Sequence, residues 1–540
     1  MHVRQRHSLL IVLLSAAASV GLADDLLPVD RTPHEVIDHY VQARIVAAGA
    51  ETSELADDAN LLRRTMLDLV GRPPTVAEAR TYLESTEPDK RAQLVQRLMA
   101  TPGYVRHQIN EFDTLLMEGS GKSLREYLTR ALEQQRPWDQ MFRDLLLGEK
   151  DDPAQKGALQ FVNARIGDLD KLTNESSVIF FGVNVTCAKC HDHPEVAEWT
   201  QDRFYGMKSF FSRTFDNGGL SGERDYGLVS FKTTEGEEKS AKLTFLTGQV
   251  IEEPTSKTPS DEEQKAEKKK LEELKKSKQP PPAPRFSRRE QLVEVALRTS
   301  EDNYFAKAII NKIWYRLLGR GLVMPIDQMH PENPPSHPQL LEWLARDLVV
   351  NGYDLNRVVQ GIVLSDTYAR SSRFTGATAP AVDLFAVGQI RPLTPMQYAV
   401  SLRLGSTNPD QFPSSMPPEE FAKQMLGLEN AARGYSNKFE QPRDGFQIGV
   451  AEALLFSNDT RVRDDFLRDA GNTLVGKLAK MEDPQTIVDT AFWNVMGRAP
   501  DAEERTVLIR YYQQRQDRPV EACQHIVWAL LTSAQNRFNY

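Results

Sequence analysis

The stretch Asp68-Leu69-Val70-Gly71-Arg72-Pro73-Pro74-Thr75-Val76-Ala77-Glu78 reads as the end of one helix and the start of the next. Apolar residues recur with helical spacing over 59–69, and Gly71 permits the left-handed residue that closes such a helix. Thr75 stands at an N-cap position, with Glu78 three residues on, the pattern of a capping box. The signature returns at Asn494-Val495-Met496-Gly497-Arg498-Ala499-Pro500-Asp501-Ala502-Glu503, and more weakly at Leu318-Gly319-Arg320. The first two copies are each followed by a helix pair, ending near residues 98–101 and 530–533. This is a recurring helix–turn–helix packing unit, with its arginines expected to bond across to helix-terminal carbonyls.

Outward from that corner the chain stays helical. Residues 33–48, 94–99, 104–117, 124–134 and 138–147 carry the same periodicity, and 204–211 reads as a short helix. From Tyr226 the texture changes. Residues 228–231, 241–245 and 249–252 read as short strands. A polar run over 252–279 follows, with eight lysines against eight acidic residues, then Pro280-Pro281-Pro282 and Pro284. It reads either as a solvated helix or as a disordered linker. Helices resume over 290–298, 304–318, 358–365, 396–404, 449–455, 474–479, 487–496, 502–515 and 520–531, whereas 407–445 is poorly periodic. The expected fold is mainly α: two multi-helical parts with a small β segment and a charged linker between them. Its divisions are a signal peptide over 1–23, an N-terminal helical domain over 30–215, a β segment over 225–252, a charged, Pro-rich linker over 253–284, and a C-terminal helical domain over 285–540.

The 540 residues are 40% apolar and 26% charged, a globular composition. Net charge is −9, from 66 basic and 75 acidic residues, which argues against a nucleic-acid partner. The first residues combine Arg4 and Arg6, an apolar run from Leu9, and small residues at Gly21-Leu22-Ala23: a secretory signal, pointing to the periplasm or the outside of the cell. No later segment offers about 18 consecutive apolar residues, so no membrane span is expected in the mature chain.

Only three cysteines are present, and two lie in Cys187-Ala188-Lys189-Cys190-His191. Two thiols with two residues between them, then a histidine, meet the requirement for covalent haem c: Cys187 and Cys190 attach the two vinyl groups and His191 lies under the iron. His193 is too close in sequence to reach the opposite face; Met207, Met324, Met329 and His330 are sequence-distant candidates for the sixth ligand. The same residues also fit a Cys187–Cys190 disulfide, a thiol–disulfide exchange site, or a zinc or iron centre in which His191 and His193 are ligands. Asp168, Asp170, Asn174 and Glu175 upstream read as capping and loop residues with some capacity for a cation or for Lys171. Trp314 reads as core. Asp327, Glu332 and His337 flank a Pro-rich loop where a pocket could form, and Cys523 reads as a buried thiol. No nucleophile elbow, phosphate loop or His-Glu-x-x-His helix is present.

Several stretches together resemble one family. Residues 62–75, Asp89-Lys90-Arg91 and 98–104 are similar to the opening domain of planctomycete cytochrome c-associated conserved-domain proteins, and 187–194 with Trp199-Thr200 and Tyr205-Gly206 to its close. Residues 303–323, Asp327, 334–343, Ser365, Tyr368, Ser371, Ser372 and 528–533 resemble the partner domain. The resemblance implies an exported, mostly helical protein of undefined biochemistry. Met329-His330 stands where that family usually carries an aromatic-glycine pair, and an Arg-rich motif after Arg391 is degraded over 394–400. The leading functional reading is an exported c-type haem protein for electron transfer or haem-dependent redox, working with a redox partner protein or an extracellular substrate. The alternatives are an extracellular non-haem metal-dependent hydrolase at the Cys/His cluster, and a non-catalytic surface or assembly protein with a structural disulfide.

Overall fold

A computed structural model describes residues 26–148, 152–193, 196–255, 258–298, 303–442, 452, 456 and 460–540. The expected signal peptide, the helix over 449–455 apart from residue 452, and Pro194 lie outside the described residues.

The protein is mainly helical. The first run comprises α1 (Pro33–Ala47), α2 (Asp58–Val70), α3 (Val76–Glu84), α4 (Lys90–Met99), α5 (Pro102–Met117), α6 (Arg125–Glu133), α7 (Trp138–Leu146), α8 (Gln160–Asn163), α9 (Leu169–Phe181) and α10 (Gln201–Phe211). The caps are those their sequences encode. Thr32 and Glu35 close a capping box on α1, and Asp57 accepts from Asn60 N on α2. Each such cap is worth about 1 kcal/mol. Helix α2 is buried at every position from Leu61 to Val70, including Arg63, Arg64 and Asp68.

Three small antiparallel hairpins follow: β1 (Thr214–Asp216) with β2 (Ser221–Glu223), β3 (Ser230–Lys232) with β4 (Glu238–Ser240), and β5 (Leu243–Thr244) with β6 (Val250–Ile251). The expected strands map to β3, β5 and β6. Strands β1, β2 and β4 carry no alternating apolar pattern, so periodicity could not show them. The polar run forms a solvated helix, α11 (Asp261–Lys276), with no buried side chain and a capping box from Ser260 and Glu263. Tyr226 Oη donates to Glu267 at 2.6 Å and Asn217 Nδ2 to Leu271 O at 3.1 Å, tethering it to the hairpins.

The remaining helices are α12 (Arg288–Leu297), α13 (Tyr304–Leu318), α14 (Pro338–Val350), α15 (Leu355–Leu364), α16 (Asp366–Ala369), α17 (Pro395–Ser406), α18 (Pro418–Ser436), α19 (Thr460–Phe466), α20 (Leu474–Leu478), α21 (Pro484–Met496), α22 (Ala502–Gln513), α23 (Pro519–Leu531) and α24 (Ala534–Arg537). Strand β7 (Arg391–Pro392) pairs with β8 (Phe538–Asn539). Helix α18 lies inside the stretch whose sequence lacks periodicity. Only Met425, Glu429, Ala432 and Tyr435 of its side chains are buried, too thin an apolar stripe to read in advance.

The linker interrupts the chain but not the core. One hydrophobic cluster runs from Val36 to Ala386, drawing on helices from both sides of α11. Trp138 stacks on Phe305 at 5.8 Å with 7° between planes, and Phe142 meets the same ring at 4.7 Å. A second cluster gathers Leu393 to Leu531 and takes in Leu67 from α2.

The repeated corner is built alike in both copies. Gly71 and Gly497 share φ 70° and ψ 17°. Arg72 grips Glu78 through two hydrogen bonds of 2.8 Å, and Arg498 grips Glu504 through two of 2.7 Å. The carbonyls the arginines reach are those of the next loop residue, Pro73 O and Ala499 O, and not the helix-terminal ones expected; the carboxylates are the bidentate partners. The corners face each other: a Cβ at Gly497 would lie 3.1 Å from Pro74 Cγ, and Arg80 sits over the Trp493 ring at 5.1 Å. In the third copy Gly319 closes α13 with φ +81° beneath the Arg391 side chain.

Candidate cofactor-attachment site

The Cys187–His191 turn hangs from the end of α9. Asp168 caps that helix through Asp170 N and Lys171 N, and Gly182 ends it with φ 67°, against Ala308 and Met329. The chain then runs along the 327–330 loop from the other side of the linker. Met329 N donates to Gly182 O (2.9 Å), Asn184 N to Asp327 O (2.8 Å), and Asn184 Nδ2 to Asp327 Oδ2 (3.2 Å). Asn174 Oδ1 accepts from Val185 N, and Asn184 Oδ1 from Thr186 N, both at 3.1 Å. Asn174 and Asp327 are therefore loop anchors.

A 3-10 turn, Thr186–Lys189, carries the first thiol. Cys190 N and His191 N both donate to Cys187 O, at 3.3 and 3.4 Å. With three residues per turn, positions 187 and 190 project to the same side. Cys187 and Cys190 are both exposed and unbridged, while Ala188 points into the core. Lys189 is pinned outward by Asp170 (2.8 Å), which also pairs with Lys208 (2.6 Å). Burial works against the Asp170 charge, but these two hydrogen bonds outweigh it and hold the carboxyl below its usual range. Its partners are thus Lys189 and Lys208, while Lys171 pairs with Glu175 at 3.6 Å, as the sequence allowed.

His191 is exposed, and its Nδ1 lies 2.7 Å from Asp192 O. A carbonyl oxygen only accepts, so Nδ1 carries the proton and Nε2 keeps its lone pair. His193 faces the other way. It is buried, its Nδ1 accepts from Val196 N at 3.2 Å, and its ring packs on Trp199 and His330 at 5.3 and 5.9 Å. Among the described residues no three His, Cys, Asp or Glu side chains converge as a metal centre would require. The ligand set of a zinc or iron site using His191 with His193 is therefore not assembled in this conformation.

Two residues that the sequence did not mark complete the site. Gln201 Nε2 lies within 3.4 Å of Lys189 O, Cys190 O and Lys232 O, and its Oε1 accepts from Thr234 N at 3.0 Å, joining the turn to the β3–β4 hairpin. Phe231 of β3 stacks on Tyr205 at 4.2 Å and 9°. A glutamine at the start of a helix carries no signal for such a clamp. Of the sixth-ligand candidates, Met207 is buried within α10, and His330 touches the motif segment through His193 and Trp199. His337 stands apart against Phe385, pushed down to about 4 chiefly by burial. Trp314 is core, and Cys523 is a buried thiol, raised to about 12 by burial.

No helix among the described residues is long and apolar enough to cross a membrane. The family profile PSCyt2, described as a protein of unknown function (DUF1549), matches residues 36–216, and PSD1, described as a protein of unknown function (DUF1553), matches 288–443. No curated protein and no solved structure gives a significant match. The first match ends just past the cysteine turn and the second contains the loop that supports it; the chain belongs to the planctomycete cytochrome c-associated proteins of unknown function that carry this pair of domains.

Proposed function

We propose that the chain is an exported protein that carries covalent haem c on Cys187 and Cys190, with His191 as proximal ligand, and that it passes electrons to a redox partner or supports a haem-dependent reaction. One observation carries this reading: two exposed thiols on one side of a turn directly precede a histidine whose Nδ1 proton is committed to Asp192 O. That tautomer offers Nε2 to a metal. Haem c attachment spreads its thiols along a porphyrin edge, whereas a mononuclear centre needs its donors to meet at one point, and here they do not meet. When bound, the haem supplies one-electron chemistry at its iron. The protein's own part is to hold the turn: Asn184 and Asp327 fix its start, Asp170 draws Lys189 aside, and Gln201 binds the carbonyls of Lys189 and Cys190.

Expression with export in a host that matures haem c tests this. The expected outcome is a haem band that survives denaturing electrophoresis and disappears in Cys190→Ala. Zinc or iron without haem would favour the hydrolase reading, and an intramolecular disulfide by mass spectrometry the structural one. Either result would overturn the proposal.

A further inference from the structure

The haem reading leaves two activities open, electron transfer and a haem-dependent reaction, and the second axial ligand decides between them. A c-type haem that carries electrons takes a histidine and a second protein ligand such as methionine; one held by a single histidine binds small molecules at its free position. His191 fills one position. What reaches the other depends on the side chains around the turn.

The donors nearest the motif are each engaged elsewhere. His193 is buried, its Nδ1 accepts from Val196 N, and its ring packs on Trp199. His330 is 6% exposed and packs on both of those rings. Met207 is fully buried within α10, and Met329 lies against Gly182, 3.5 Å from where a Cβ would stand. Lys189 and Lys208 are both held by Asp170. Met324 is half-buried, on the stretch that leads into Asp327. The outer side of the turn carries Thr186, Cys187, Cys190, His191 and Asp192, all exposed. Thr186 and Asp192 are not residue types that ligate haem iron. Asp192 is committed inward besides: its carboxylate accepts from Gln201 N at 3.2 Å. Gln201 Nε2 and Tyr205 Oη donate to carbonyls of the turn from behind.

We infer that this chain supplies one axial ligand only, His191, and that the opposite position takes a small neutral donor molecule from solution, of the class of which carbon monoxide is the simplest probe. The inference rests on the haem reading and selects, of its two activities, the reaction with a small molecule. The exposed, polar outer side of the turn leaves that position open to solvent, whereas a pure electron carrier closes it with a side chain.

The test uses the full chain, exported and matured with haem, with cooperative urea unfolding as the check that the spectra belong to the folded protein. The ferric spectrum is expected to be high-spin. The reduced chain is expected to bind carbon monoxide, one per haem and in a single kinetic phase, with a shift of the Soret band. Met324→Leu and Met329→Leu, which remove the sulfur and nearly keep the volume, are expected to leave both readouts unchanged. A folded, haem-bearing chain with a low-spin ferric spectrum and no carbon monoxide binding would overturn the inference and leave the haem reading standing. A low-spin spectrum that turns high-spin in either methionine variant would overturn it too, and would name the side chain that fills the position. A chain exported without haem would overturn both readings.

Discussion

At Gly71 the chain turns with φ 70° directly against the His107 ring, and a Cβ there would lie 2.7 Å from Nδ1. At Gly497 the same backbone meets only Pro74 Cγ, at 3.1 Å. Both positions carry the left-handed penalty of about 1–2 kcal/mol for any other residue, but only the first adds a clash with a packed ring. Gly71→Ala is therefore expected to destabilise by at least about 1 kcal/mol more than Gly497→Ala, read as urea midpoints; equal losses would show that the ring yields freely. The glycine, its arginine and the capping box could all be read from the chain, because each acts within a few residues. The ring above Gly71 could not, since His107 reaches it only through the packing of α5 on α2. The same holds at the cysteine turn. Cys187, Cys190 and His191 announce themselves by spacing, whereas Asp327, 143 residues from Asn184, is joined to it only by the fold.

Helices with similar caps differ in what they stabilise. Ser260 and Glu263 begin α11 with the same box that Thr75 and Glu78 give α3. Helix α11 buries no side chain, while α3 packs Ala79 and Tyr82 beneath a bidentate Arg72–Glu78 pair. Ser260→Ala should fray α11, seen as faster amide exchange there, and leave the global unfolding free energy from urea titration within about 0.5 kcal/mol. Thr75→Ala should cost about 1 kcal/mol globally. If Ser260→Ala lowered global stability as much, α11 would be part of the cooperative core. Balanced charge allowed both a helix and a disordered linker for 252–279; the capping box and lysines in the last turn favour the helix that forms.

Across the molecule, buried polar groups join what the chain separates. Asp68 of α2 accepts from Tyr368 Oη and Arg391 Nη2, both at 2.7 Å, and from Asn539 Nδ2 at 3.1 Å, so it links both hydrophobic clusters and β8. His107 and His337 are buried and neutral, both pushed down to about 4 chiefly by burial. A histidine that titrates near 4 when folded and near 6.5 when unfolded binds fewer protons in the native state. Its contribution is complete above about pH 6.5 and is lost as pH falls through about 4, on the order of 3 kcal/mol each. Glu111 and Asp139, raised chiefly by burial, run the opposite way at the acid end. The His337→Gln variant isolates the effect: its urea midpoint should fall less than the native chain's between pH 7 and pH 5, and parallel curves would refute the buried, neutral state. Helix content, caps, the cysteine motif and family membership all followed from the chain, because they rest on contacts a few residues long. Which helices share a core did not follow. Trp138 on Phe305, Asn184 on Asp327 and Asp68 on Arg391 join residues more than a hundred positions apart, and burial and hydrogen-bond satisfaction across the folded chain select those partners.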